Sequence, residues 1–336
     1  MNRKPVSVIV TERPQNIDAV YSDELKKRIS EKTTMLPPVR SADEFFARAG
    51  EMKKVEIIFS TWGMLKLTKE QIKEYLPSLR AVFYAAGTVQ YFARPYIECG
   101  VRVFSAWAAN SVPVAEIAAS EIILANKGFF RRRVRSREEW KTEDSEKLYP
   151  GNFRTKVGLL GAGMIGRGVI KNLAHTDLDI YVFDPFLPDN VAKSLGVTKK
   201  DLDWIFANCN VISNHLANNA ETKGMITKKH FDKMSAGAVF INTGRGAQVV
   251  EADMIAAMKE VPTRAAILDV TDPVEPPAPD SELYTLPNVF LTPHVAGSIG
   301  NECFRLGEYM YAEFSAFEGG EPTKYEVTAK MLETMA

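Results

Sequence analysis

The chain has little cysteine, little histidine and no net charge. Its three cysteines, Cys99, Cys209 and Cys303, are scattered over 336 residues, and none belongs to a Cys-x-x-Cys pair. That spacing argues against a disulfide framework and a zinc site and fits a reducing compartment, so no metal is expected. Lysine plus arginine equals aspartate plus glutamate, 42 against 42. No field of one sign is therefore present to gather nucleic acid or an anionic membrane. The N-terminal apolar run is too short for a secretory signal, and no stretch reads as a membrane span. Together these absences lead us to expect a cytoplasmic protein with neither nucleic acid nor membrane as partner. Arg131, Arg132, Arg133, Arg135 and Arg137 form a local basic run. Glu138, Glu139, Glu143, Asp144 and Glu146 follow at once, which suits a solvated, self-compensating segment.

What is present is an ordinary globular composition, 46% apolar and 25% charged, in a chain long enough for two domains. Short apolar runs at Val6–Val10, Val55–Ser60, Arg80–Ala86 and Arg102–Ala106 alternate with helical patterns at Asp23–Ser30 and Tyr91–Cys99. A second series has six such runs: Val157–Gly161, Ile180–Asp184, Val211–His215, Ala238–Thr243, Ala265–Val270 and Val289–Pro293. Alternation of this kind predicts parallel sheets covered by helices. Val114–Asn126 reads as a Pro-started apolar helix, and Gly300–Phe317 as another helix before a short polar tail. The expected fold is α/β, with two doubly wound parallel-sheet domains. The domain at 105–300 is inserted into one made of 1–104 and 301–336.

The second series opens on the most informative segment. The strand Val157-Gly158-Leu159-Leu160 runs into Gly161-Ala162-Gly163-Met164-Ile165-Gly166, and the next strand ends at Asp184, 18 residues beyond the last glycine. This is the pattern of a dinucleotide-binding βαβ unit. Gly161 permits the tight turn, Gly163 lets backbone approach a pyrophosphate, and Gly166 lets helix and strand pack closely. The helix start at Met164 and Ile165 offers free amides to the anion. Asp184 is placed to accept the ribose hydroxyls.

In such a sheet, ligands lie beyond the carboxyl ends of the strands. His215 closes the third strand of this series, Asn242-Thr243-Gly244-Arg245-Gly246 the fourth, Asp269 the fifth and Thr292-Pro293-His294 the sixth. One sheet edge thus carries an arginine, acids and a histidine beside a dinucleotide site, the residue types that carbonyl reduction needs. A cation holds and polarises the substrate, an acid/base carries the proton, and a carboxylate fixes the histidine tautomer. His215 is expected to pack near the cofactor without chemical work.

At these residues the chain resembles the D-isomer-specific 2-hydroxyacid dehydrogenases. The resemblance covers nearly the whole length and is most specific from 157 to 298. It implies a Rossmann NAD-binding domain at 105–300 inserted into a smaller flavodoxin-like substrate-binding domain at 1–104 and 301–336, in an NAD-dependent enzyme, usually a homodimer, acting on a small 2-oxo or D-2-hydroxy acid. Ile241-Asn242-Thr243-Gly244-Arg245-Gly246 is similar to the family's Asn-x-Ala/Ser-Arg-Gly, implying Arg245 as the carboxylate and carbonyl anchor. Thr292-Pro293-His294 resembles the Thr-Pro-His motif, implying His294 as the acid/base. Asp269-Val270 resembles an Asp-Val pair whose Asp holds the nicotinamide carboxamide, and Thr243 and Gly244 would line the cofactor. Glu275-Pro276 resembles the pair whose Glu supports the histidine. Gly87, Thr88 and Val89 match the loop whose amides bind the substrate carboxylate, and Asn110 through Glu116 the linking-helix motif.

Three departures stand out. The step from Asp269 to Glu275 is one residue longer than in the family, so either Glu275 keeps its role or Asp272 substitutes. Gly244 stands where Ala or Ser is usual, which is expected mainly to loosen the backbone. No proline follows His215-Leu216. Asp184 followed by Pro185-Phe186-Leu187-Pro188 favours NAD over NADP, since nothing basic would neutralise a 2′-phosphate. The loop around Trp62 is bulky and apolar, which disfavours a phosphorylated substrate. The chain ends near its last long helix, which suggests no room for a further sensing domain. An alternative is an NAD(H)-sensing binding module on the same scaffold, as in corepressors of C-terminal-binding type.

Overall fold

The computed structural model describes residues 3–132, 137, 140 and 148–333. Arg133, Arg135 and the acidic residues 138–146 of the charged run lie outside the described residues. The chain divides into two compact units, Met1–Asn110 with Ser298–Ala336, and Ser111–Gly297.

In the first unit the strand order is Thr34–Met35, Val6–Val10, Ile57–Ser60, Ala81–Tyr84, Arg102–Ser105 and Glu326–Val327. All pairs are parallel except the last, where the tail returns antiparallel beside Arg102–Ser105. The tail expected to be merely polar therefore closes an edge. Both sheet faces are buried, which is why these strands read as continuous apolar runs. Phe59, Phe83 and Phe104 face the helix Glu302–Gly319 and its Phe314, while Ile58, Val82 and Val103 face the opposite layer. The Phe83 and Phe104 rings stack with centroids 4.7 Å apart.

The second unit holds a seven-stranded parallel sheet. Its order is Val289–Leu291, Ala265–Leu268, Val239–Asn242, Val211–Asn214, Phe153–Leu160, Asp177–Phe183 and Thr198–Lys199. The last strand, only two residues long, carries too little pattern to be legible in the sequence. Strand order reverses between Phe153–Leu160 and Val211–Asn214, and this switch point is where a doubly wound sheet opens a crevice at its carboxyl edge.

Two expectations about the long apolar helix need correction. It spans Trp107–Asn126, with Pro113 inside it rather than at its start. There proline forfeits the helical bond to the Ala109 carbonyl, a cost that the burial of the helix against the sheet has to offset. The helix is also long and apolar enough to cross a bilayer, against the reading that no stretch reaches that length, although 56% of its most apolar window is buried within the protein. Ala115, Ala118, Ile122 and Ala125 pack on Val157, Leu159, Val211, Ile241 and Ile267.

Phe83 is fully buried and touches four other rings. Phe83→Ala is expected to cost about 3–5 kcal/mol, read as a lower denaturation midpoint. A loss below about 1 kcal/mol would show that the aromatic layer is not what holds this sheet to its helix.

Candidate active site

The glycine turn needs each glycine for a different reason. Gly161 has φ +95°, and a Cβ there would sit 2.8 Å from the His215 carbonyl oxygen. A Cβ on Gly166 would sit 2.1 Å from the Gly161 oxygen, so the helix Met164–Leu173 can approach only without one. Around Gly163 there is open space. Gly163 precedes the helix without a side-chain cap, Met164 is exposed and Ile165 half-buried. The first-turn amides are thus left for a ligand. Asp184 ties the turn to its own loop, accepting from the Ala162 amide and the Phe186 amide, each at 2.8 Å.

His215 is buried and neither ring nitrogen has a partner among the described residues. Burial pushes its pKa down to about 4, so the imidazole is neutral near pH 7 and carries no charge beside a ligand. Thr243 Oγ1 is likewise buried without a partner among the described residues.

Arg245 stands on a loop held by amides that the sequence reading missed. Asn214 Nδ2 donates to Asn242 Oδ1 at 3.0 Å and to Gln248 Oε1 at 2.6 Å. Gln248 Nε2 donates to the Leu216 and Ala217 carbonyls, and Asn242 Nδ2 to the Arg245 carbonyl at 3.1 Å. Gly244 is not chiefly a loosening of the backbone: a Cβ there would lie 3.0 Å from Gln248 Oε1, so glycine makes room for the fully buried Gln248. A Cβ on Gly246 would lie 2.1 Å from the Thr271 carbonyl carbon, so the loop can press on Thr271–Asp272 only as glycine. The Arg245 guanidinium is half-buried and donates through Nη1 to the Gly244 carbonyl at 2.8 Å. Burial lowers its pKa and the charge of Glu275 opposes this. No carboxylate lies within ion-pair distance of it among the described residues.

His294 has φ +54°, a left-handed backbone unusual for a side chain with Cβ. Asp269 holds it there. This carboxylate, 3% exposed, accepts from Thr292 Oγ1 at 2.6 Å, Val295 N at 2.8 Å and Ala296 N at 2.9 Å, on both sides of the histidine. The role implied by resemblance, a bond to the nicotinamide carboxamide, would have to share these oxygens. His294 Nδ1 lies 2.5 Å from Glu275 Oε1. A proton on Nδ1 then leaves Nε2 for chemistry. Asp272 makes no contact with His294 among the described residues. The extra residue is taken up between Thr271 and Glu275, where Thr271 Oγ1 donates to the Val274 carbonyl at 2.8 Å.

In the first unit, the amides of Gly87, Thr88 and Val89 donate to no protein acceptor among the described residues, while Ser105 Oγ donates to the Gly87 carbonyl at 2.6 Å. Val89 buries its side chain and Thr88 is exposed. Trp62 is half-buried, its carbonyl accepting from Thr11 Oγ1 at 2.7 Å. Beside it, the Arg13 backbone and Cγ come within 3.0 Å of where a Gly63 Cβ would be, so the Arg13 segment packs against this loop.

Residues 121–296, slightly more than half of the chain, match the D-isomer specific 2-hydroxyacid dehydrogenase family over its NAD binding domain. The chain belongs to this family. It is 32% identical over 235 residues to a D-3-phosphoglycerate dehydrogenase of Archaeoglobus fulgidus, covering 70% of this chain and 44% of that one. It is 28% identical over 272 residues to a D-3-phosphoglycerate dehydrogenase of Methanocaldococcus jannaschii, covering 80% and 48%. It thus spans about half the length of the curated relatives it matches. The crystal structure of apo D-mandelate dehydrogenase of Rhodotorula graminis shares the fold, with a TM-score of 0.80 at 19% identity over 97% of this chain and 98% of that one.

The dehydrogenase-family unit fits its cofactor, NAD. The turn between Gly161 and Gly166 leaves space over Gly163 for a pyrophosphate, and His215 and Thr243 present buried polar atoms without partners at the same sheet edge. Gln248→Leu is expected to take the partner from one Asn214 N–H and from the Leu216 and Ala217 carbonyls and to cost about 1–3 kcal/mol in thermal or denaturant unfolding. Unchanged stability would show that the amide network does not hold the Arg245 loop.

Proposed function

We propose that the protein is an NAD-dependent oxidoreductase interconverting a small 2-oxo acid and a D-2-hydroxy acid. The observation that carries this reading is the His294–Glu275 pair beside an unpaired Arg245, at the edge of a sheet that carries the family's NAD binding domain. When bound, NADH supplies hydride to the carbonyl carbon. His294 gives the proton to the carbonyl oxygen from Nε2. Glu275 orients the imidazole and, in the reverse direction, stabilises the imidazolium that forms. Arg245 holds the carboxylate and polarises the carbonyl, which suits a planar two-donor group.

The first unit is read as the substrate-binding part. Three neighbouring amides without acceptors at Gly87, Thr88 and Val89 suit a carboxylate, and Trp62 would meet the substrate side chain. Asp184 would take the ribose hydroxyls, with no basic residue in 185–188 to accept a 2′-phosphate. The bulk of the Trp62 loop favours an unphosphorylated 2-oxo acid, such as one of glyoxylate, hydroxypyruvate or apolar-side-chain type. The family resemblance and the cysteine usage favour a cytoplasmic homodimer.

The test is NADH oxidation by the purified protein over a panel of 2-oxo acids that includes phosphohydroxypyruvate, with an NADPH control. Turnover of an unphosphorylated acid supports the reading; equal turnover of phosphohydroxypyruvate removes the substrate preference. Tight NADH binding without turnover would favour the sensing module. His294→Ala should abolish turnover and leave NADH affinity within about twofold, measured by fluorescence titration. Lost NADH binding would place His294 in the cofactor site instead. Arg245→Lys should raise KM by about tenfold or more, because an ammonium cannot replace two parallel donors. Unchanged kinetics would remove Arg245 from the site.

A further inference from the structure

Glu121 is a charged residue for which the proposed chemistry has no use. It lies on the helix Trp107–Asn126, three residues from Ala118 and four from Ala125, both buried against the sheet. Only 6% of it is exposed, Oε2 is buried without a hydrogen-bond partner, and no bond to Oε1 occurs among the described residues. The same helix face packs on Ala265 and Ile267. Asp269 follows Ile267 by two residues and continues the sheet ladder, its amide donating to the Asn242 carbonyl at 3.0 Å. Strand alternation therefore puts Asp269 on the face this helix covers. The Asp269 charge reaches Glu121, and together with burial it pushes the Glu121 pKa up to about 7, burial being the larger cause. Asp269 is the one charged group acting on Glu121 among the described residues; Glu116, on the same helix, is exposed. Two carboxylates thus lie on the sheet face that this helix covers, and one of them makes no bond among the described residues.

We infer that Glu121 is a counter-charge for the oxidised nicotinamide ring and that it discriminates NAD⁺ from NADH. This rests on the NAD-dependent reading above. With Asp269 charged and no cation acting on it among the described residues, Glu121 keeps its proton below about pH 7, because burial and like charge both oppose ionisation. A cation beside Asp269 lets both carboxylates ionise, its attraction offsetting their repulsion. The ring is cationic when oxidised and neutral when reduced, so Glu121 releases its proton to solvent when NAD⁺ binds and keeps it when NADH binds. The residue therefore favours bound NAD⁺ and shifts the equilibrium on the enzyme toward the hydroxy acid being oxidised less readily.

Glu121→Gln keeps the shape and charge of the protonated acid, so it should fold with an unchanged melting temperature. Calorimetric titration of the full chain with NAD⁺ and with NADH, at pH 6, where Glu121 with a pKa of about 7 still holds its proton, in buffers of different ionisation enthalpy, reads both affinity and proton release. Expected are proton release on NAD⁺ binding and none on NADH binding in the wild type. In the variant, NAD⁺ affinity should fall by on the order of tenfold, with NADH affinity held and proton release lost. An unchanged ratio of the two affinities in the variant, or NAD⁺ binding to wild type without proton release, overturns the inference while leaving the NAD-dependent reading intact. Wild type that binds neither nucleotide overturns both. The wild-type proton count stands on its own should the variant fail to fold.

Discussion

The carboxyl edge of the seven-stranded sheet depends on one buried carboxylate. Asp269 accepts a hydroxyl and two amides that bracket His294. A histidine in the left-handed region costs about 1 kcal/mol or more and persists only when its surroundings over-determine it. Charge-assisted bonds on both sides supply that constraint. The His294–Glu275 contact, with its consequence for the tautomer, follows from the backbone that Asp269 holds.

The arginine is positioned by different means. Its loop is shaped by two glycines that leave room, one for the Gln248 amide and one for the Thr271 backbone, and by side-chain amides that replace the hydrogen bonds a continuing strand would have made. Charge is absent from that network, so the guanidinium keeps its own charge unspent. The two histidines of this edge divide in the same way. His215 is buried without partners and kept neutral, whereas His294 is half-exposed and bound to a carboxylate.

The extra residue between Asp269 and Glu275 illustrates how a loop protects a contact. Thr271 and Val274 close a small turn across the insertion, and Glu275 still reaches His294. A loop can take in one residue this way because its ends are fixed by the sheet and by the Glu275–His294 contact, not by its own length.

Much of this was legible in local pattern. Runs such as Val6–Val10 and Val211–Asn214 carry the strand signal in themselves, because a parallel strand buried on both faces must be apolar throughout. Gly161, Gly166 and Asp184 carry the nucleotide signal because a tight turn and a close helix demand particular residues at particular spacings. The two-residue strands Thr34–Met35, Thr198–Lys199 and Glu326–Val327 carried no such signal, since they exist only by pairing with a neighbour already in place. The start of the long helix at Trp107 was hidden by Pro113, whose cost depends on which turn it occupies. Between Asp272 and Glu275 the sequence left two carboxylates open, and only the folded loop decides which one meets His294. Gln248 looked like any polar residue, and Glu121 like any helical glutamate. Their parts come from being buried beside particular partners, and burial is a property of the packed chain rather than of the order of its residues.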